Sequence, residues 1–152
     1  MWRLDLSTWK WEDLSVKGGP TARSGHRMLC HRNKIWLFGG YYDTGEELPK
    51  YYRDLWSFDP SALKWESVGD MSARWPAARS GFQWVSHDDL LVLHGGYSKR
   101  VDDDDKDMQH GVAMDDTWAW HIPTSKVPVH TCLAWQPHDP HVLGQSVAGV
   151  LI

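Results

Sequence analysis

The sequence predicts an all-β protein built from repeated four-stranded antiparallel units. One observation is a recurring block of motifs. Arg79-Ser80-Gly81 lies 56 positions beyond Arg23-Ser24-Gly25, and Gly95-Gly96 lies 56 beyond Gly39-Gly40. Another is the tryptophan spacing. Asp116-Thr117-Trp118 lies 62 beyond Asp54-Leu55-Trp56, and Trp2 and Trp11 keep the spacing of 9 seen between Trp56 and Trp65. A self-similar period of this size marks a propeller or a solenoid. The last is the scarcity of helix signals, since Pro, Gly and β-branched residues interrupt every candidate window.

Taken in order, residues 1–14 read as the second half of a unit. Trp2-Arg3-Leu4-Asp5 alternates like a half-buried strand, Leu6-Ser7-Thr8 turns the chain, and Lys10-Trp11-Glu12-Asp13-Leu14 pairs back. Gly18-Gly19-Pro20 is punctuation. Residues 23–68 hold a complete unit. Its first strand runs about Gly25–His31, with Arg32-Asn33 as a tight connection. The second, Lys34–Phe38, is apolar on both faces and so must be covered on both. Gly39-Gly40 ends it. The third, Asp54–Phe58, places Trp56 and Phe58 on one face and Leu55 and Ser57 on the other. The fourth, Lys64–Val68, carries Trp65 at the outer edge. Residues 79–120 repeat this with Phe82 for His26 and Leu90-Leu91-Val92-Leu93-His94 for the apolar strand. Tyr97–Asp115 reads as a long connection containing Asp102-Asp103-Asp104-Asp105-Lys106-Asp107. The outer Trp due at 127 is Val127, followed by Pro128, and no new unit follows.

Composition narrows the function classes. At 41% hydrophobic residues, the 152-residue chain can bury a core rather than remain disordered. A net charge of −4 supplies no footprint for nucleic acid or an anionic membrane. Cys30 and Cys132 do not make a disulfide framework and read as reduced thiols. The N-terminus lacks the apolar core of a signal peptide, and no run approaches the ~20 apolar residues of a membrane span. The expected location is cytoplasmic or nuclear.

Arg-Ser-Gly, Gly-Gly, Asp-Leu-Trp-x-Phe-Asp and the outer Trp occur in fixed order over residues 1–120, and the combination resembles the kelch repeat. The resemblance implies a partial kelch-type β-propeller of about two to two and a half four-stranded blades. Residues 1–14 would form a half blade, 23–68 a full blade, and 79–120 a blade lacking its outer strand. Residues 121–152 would be an irregular non-kelch tail, as in a truncated or alternatively spliced form of a longer propeller protein. It further implies a non-enzymatic protein–protein interaction module without cofactor, serving substrate recognition for a ubiquitin ligase or a scaffold. A metal-dependent kelch enzyme and a truncated isoform that closes no propeller are the alternatives. Open blade edges would favour self-association.

In up-and-down blades the 2–3 and 4–1 connections share one face, and here those are the long ones. Recognition concentrates on such loops. The partner-binding candidates are therefore Arg23 and Arg79, where a 4–1 connection enters the inner strand, with Tyr41, Tyr42 and Tyr97 from the 2–3 connections. In kelch propellers that read carboxylate-bearing peptides, arginines at corresponding places face the pocket, and the guanidinium fork pairs bidentately with carboxylates. The competing reading has both arginines holding loop carbonyls for the blade itself. No catalytic residue is assigned. Ser24 and His26 share a strand face, but Phe82 follows Ser80 in the second unit and no orienting third group is legible. No metal site is assigned either. His130-x-Cys132 and His138-x-x-His141 lie in a Pro-rich tail, and Asp102–Asp105 lacks the spacing and Gly of a calcium loop.

Overall fold

The computed structural model describes residues 1–45, 48–68, 75–101 and 109–122, and the backbone of 132–135. Among the described residues twelve strands follow in order. β1 (Trp2–Asp5) and β2 (Lys10–Asp13) form a two-stranded hairpin. β3 (Arg27–His31) and β4 (Lys34–Phe38) come next, then the short β5 (Tyr41–Tyr42) and β6 (Lys50–Tyr51). β7 (Leu55–Asp59) and β8 (Lys64–Val68) complete the first blade, in the order β3-β4-β7-β8. β9 (Gln83–His87), β10 (Leu90–Val101), β11 (Gln109–His121) and β12 (Cys132–Trp135) make the second, in chain order. Neighbouring strands are antiparallel throughout.

Turn chemistry sets the register. Asp5 Oδ1 accepts hydrogen bonds from the Ser7 and Thr8 backbone amides, and Asp59 Oδ1 does the same for Ser61 and Ala62. The residues that close these turns, Trp9 and Leu63, sit at positive φ of 55° and 49°. The Ser7 hydroxyl is the strongest of the bonds that lower the Asp5 carboxyl to about 2, ahead of the two amides. Arg32 and Asn33 both take left-handed backbone angles, as a tight two-residue hairpin requires.

The core lies between the blades. One face of the first presents Leu29, Trp36, Phe38, Leu55 and Val68 to Phe82, Trp84, Leu91, Leu93, Trp118 and Trp120 of the second. The rings meet edge to face: Phe38 lies 5.5 Å from Phe82, and Trp75 lies 5.6 Å from Trp120. This geometry suits the aromatic quadrupole. Each such side chain removed from water contributes roughly 1.5–3 kcal/mol. Backbone bonds lace the same seam, with Gly40 N–H donating to Arg79 O and Gly81 N–H to Gly25 O. The Arg27 side chain donates across it to Phe82 O at 3.0 Å.

Two expectations change. The 79–120 blade, expected to lack its outer strand, is four-stranded, because β12 pairs with β11 through Trp118↔Ala134 and Trp120↔Cys132. In the first blade Asp59 turns the chain after four residues, 60–63. His121 stands at the corresponding place, has no carboxylate for that turn, and ten residues (122–131) intervene before the strand. The irregular tail is therefore interrupted by a strand, and the rest of 123–152 lies outside the described residues. Tyr97–Asp115, read as a connection, is largely ladder. β10 runs on past Gly95-Gly96 with a register shift between His94 and Gly96, and β11 begins at Gln109. Glycine at φ of 69° and 113° absorbs the irregularity instead of ending the strand. The Asp102–Asp107 run and the tail histidines lie outside the described residues.

Among the described residues no helix is long and apolar enough to cross a membrane.

Candidate functional site

Both predicted arginines turn inward. Arg23 Nη1 and Nη2 reach the two carboxylate oxygens of Asp54 at 2.5 and 3.0 Å. Nη1 also donates to Gly39 O, and Nε to Thr21 O. The Tyr52 ring covers the guanidinium at 3.9 Å. Arg79 repeats the pattern with Asp116 at 2.5 and 2.8 Å, Gly95 O and Ala77 O. The two arginine side chains are 3% and 1% exposed. Each aspartate also accepts the indole N–H of the tryptophan two residues on, Trp56 or Trp118, at 2.6 Å. Burial pushes the Asp54 and Asp116 carboxyls up, but hydrogen bonds from Arg and Trp and the Arg charge outweigh it and hold both below the ordinary value. Every nitrogen of each guanidinium donates within the chain, and both side chains are almost fully buried. The competing sequence reading, arginines in service of the blade, matches this geometry.

The tyrosines behave differently. β5–β6 of the first blade and the outer parts of β10 and β11 of the second stand side by side. A groove of about 310 Å³ opens between them, lined by Tyr41, Asp43, Pro49, Tyr51, Ser80, Tyr97 and Lys99. Tyr41 stacks on Tyr51 at 5.6 Å, and Tyr97 meets Tyr51 edge-on at 6.4 Å. Burial, then the neighbouring Tyr97 and Tyr41, push the Tyr51 phenol up, so it stays a neutral hydroxyl at ordinary pH. The hairpins are tied down by paired bridges, Ser24 to Tyr41 and Ser80 to Tyr97, which place the two tyrosines at equivalent points of the two blades.

Of the five predicted residues, the structure brings Tyr41 and Tyr97 to the groove. Tyr42 is 47% exposed and does not line it, since alternation along β5 turns it away from Tyr41. Tyr51, Asp43 and Lys99 were missed. Their signal was available, because each lies within the two long 2–3 connections already singled out. Asp54 and Asp116 were missed as arginine partners, although Asp-x-Trp stands at the matching place of both units. Ser24 and His26 make no hydrogen bond to each other among the described residues, and His26 Nδ1 is buried without a partner. Burial, then the charges of Arg23 and Arg27, lower the His26 imidazole and keep it neutral.

Comparison with known proteins fits this architecture. The family model of the KLHDC2/KLHL20/DRC7 Kelch-repeats domain matches residues 1–136, which takes in the β1–β2 hairpin and both blades through β12. Human Kelch domain-containing protein 1 is 27% identical over 142 residues, 90% of this chain and 35% of that protein. Kelch domain-containing protein 10 of Xenopus tropicalis is 32% identical over 84 residues, 51% of this chain and 20% of its own. Tip elongation aberrant protein 1 of Schizosaccharomyces pombe is 31% identical over 102 residues, covering 63% of this chain and 8% of its own. The chain thus spans about a third of the human relative and less of the others. Repeated motifs, stacked four-stranded blades and the match over most of its length agree: the chain belongs to the kelch-repeat family, and its two blades are a partial propeller.

Proposed function

We propose that this chain is a non-enzymatic module that binds a protein or peptide at the tyrosine groove. The observation that carries the reading is the groove itself. Three tyrosines and a proline from two different blades converge on one concavity, and amphipathic aromatic rings on a rigid scaffold are a common basis for peptide recognition. Family membership supports the class, because interaction modules are what this fold generally supplies. Within that class we assign a recognition role, substrate capture for a ubiquitin ligase or scaffolding. The test is selection from a displayed peptide library with the full chain as bait, repeated with Tyr51→Ala and Tyr97→Ala. Selected peptides should lose binding in both variants while the unfolding transition is retained. Peptides that bind the variants undiminished would refute the groove. Raising the level of the chain in cells then separates the two roles, since a captured substrate would turn over faster and a scaffolded partner would not.

Self-association is a second property, favoured by a separate observation. Trp2, Trp9 and Trp11 of the β1–β2 hairpin are 63%, 74% and 65% exposed, and among the described residues β1 pairs with β2 alone. Rows of this kind promote association. Light scattering should show a concentration-dependent mass that Trp2→Ser/Trp11→Ser reduces; an unchanged mass would exclude this surface.

A further inference from the structure

The β1–β2 hairpin matches the outer half of the first blade. Trp56 and Trp65 lie 54 positions beyond Trp2 and Trp11, and Leu4 pairs with Trp11 as Phe58 pairs with Trp65. β1 therefore stands where β7 stands, and β2 where β8 does. β7 is paired on both sides, by β4 and β8, whereas among the described residues β1 pairs with β2 alone. β8 ends its sheet, so an open outer strand is common to both units, and the difference between them is the open edge of β1. Leu14 N–H donates to Met1 O, which fixes the backbone polarity of that edge. Met1, Arg3 and Asp5 face β2, and Trp2 and Leu4 turn their amides and carbonyls to the open side. β7 alternates in the same way, since Asp54 O accepts from Gly39 N–H on the β4 side.

Resting on the self-association proposed above, we infer that a second copy of this chain takes the open edge. β1 pairs antiparallel with β1 of the other copy about a two-fold axis at Leu4. Backbone polarity allows two central registers, one about Leu4 and one about Arg3. The second sets the two Arg3 side chains directly opposite, where like charges repel. The first sets Arg3 of each copy opposite Asp5 of the other. Across the four strands the polar face then reads Glu12, Arg3, Asp5, Lys10, alternating in sign, and the Arg3–Glu12 ion pair is already made at 2.5 Å within one copy. The opposite face reads Trp11, Leu4, Leu4, Trp11, which joins the exposed tryptophans of both copies in one apolar row. The product is a four-stranded antiparallel sheet, the strand number of each complete blade.

The experiment oxidises full chains in which Cys30→Ser and Cys132→Ser remove the two cysteines and one new cysteine is introduced. Covalent dimer is read on a non-reducing gel. Opposed Cα atoms of a hydrogen-bonded pair lie about 5.5 Å apart, within disulfide reach, whereas diagonal neighbours lie about 7–8 Å apart. Leu4→Cys should therefore cross-link, and Arg3→Cys should do so at least about tenfold more slowly. In the parent chain, Arg3→Glu should raise the dimer dissociation constant about tenfold, because it sets two acids opposite one another twice over. Faster cross-linking of Arg3→Cys than of Leu4→Cys would overturn the register. A concentration-dependent mass that Trp2→Ser/Trp11→Ser reduces, with no cross-link in either cysteine variant and no effect of Arg3→Glu, would overturn the edge pairing and leave the tryptophan surface as the contact. A mass independent of concentration in the parent chain would overturn the self-association as well.

Discussion

Phe38 and Leu55 of the first blade sit opposite each other on β4 and β7, buried against the second blade at 0% and 1% exposure. At the same register in the second blade stand His94 and Thr117, opposite each other on β10 and β11 and joined by a 2.9 Å hydrogen bond. Val85, in the place of Leu29, is exposed. One backbone plan therefore carries two kinds of face, an apolar one that another blade covers and a mixed one that faces solvent. The arginine latch is common to both blades, but everything that distinguishes them lies at covered faces and hairpin lengths. Stability should follow the latch and the covered face; recognition should follow the hairpins.

The largest effect expected from this comparison is at the latch. Asp116→Ala strands Arg79, the more deeply buried arginine, without its counter-charge and should cost about 3–5 kcal/mol. Asp54→Ala should cost somewhat less, since the Asp54 side chain is more exposed than that of Asp116. Chemical denaturation of the two variants ranks them, and equal insensitivity would dissolve the latch account. Next comes the covered face. Phe38→Ala should lose about 3–5 kcal/mol, and His94→Ala, at the matching place in the second blade, no more than about 1 kcal/mol. Comparable losses would show that the second face is covered after all.

A smaller difference separates matched glycines. Gly39 has φ of 62° and a methyl there would come within 2.5 Å of Arg79 O across the seam; at Gly95, with φ of 69°, the nearest atom would be Met114 O at 3.2 Å. Gly39→Ala should therefore destabilise by more than the ~1 kcal/mol of left-handed strain that Gly95→Ala carries. Smallest at neutral pH, but diagnostic in acid, is the titration of the latch. Both aspartates are held below their ordinary value of 3.8, so their contribution is complete above that value and is lost as pH falls through the lowered one. Urea midpoints should drop as pH falls below about 4, and Asp116→Asn should flatten that dependence.

Much of the fold was legible because the repeat is written in residues whose physics is local. Asp59 turns the chain, Arg32-Asn33 takes left-handed angles, and Lys34–Phe38 is apolar on both faces, so β4 and β8 fall where alternation and turn residues put them. β12 was not legible, because its signal was a fixed interval after Trp118 and the loss of the turn-making aspartate at His121 lengthened that interval. The outer β10–β11 ladder was hidden by the Gly-Gly pair, which ends β4 as Gly39-Gly40 in one blade and makes a bulge as Gly95-Gly96 in the other. The site was half legible. Tyr41 and Tyr97 were found because they lie in the long 2–3 connections; Tyr51 and Asp43 lie in the first of these as well, but only the meeting of the two hairpins singles them out. The arginine–aspartate pairs were not legible, because a fork suited to a partner's carboxylate is equally suited to the chain's own, and Asp54 and Asp116 lie more than 30 residues from their arginines.

The central claim is that the arginines hold the blades while the tyrosines face the partner. It is tested most directly by comparing urea unfolding of Arg79→Met and Tyr97→Ser in otherwise identical chains. The account predicts that Arg79→Met loses most or all of the cooperative transition and that Tyr97→Ser keeps its midpoint close to that of the parent. A stable Arg79→Met beside a collapsed Tyr97→Ser would contradict it, returning the arginines to the surface and the tyrosines to the core.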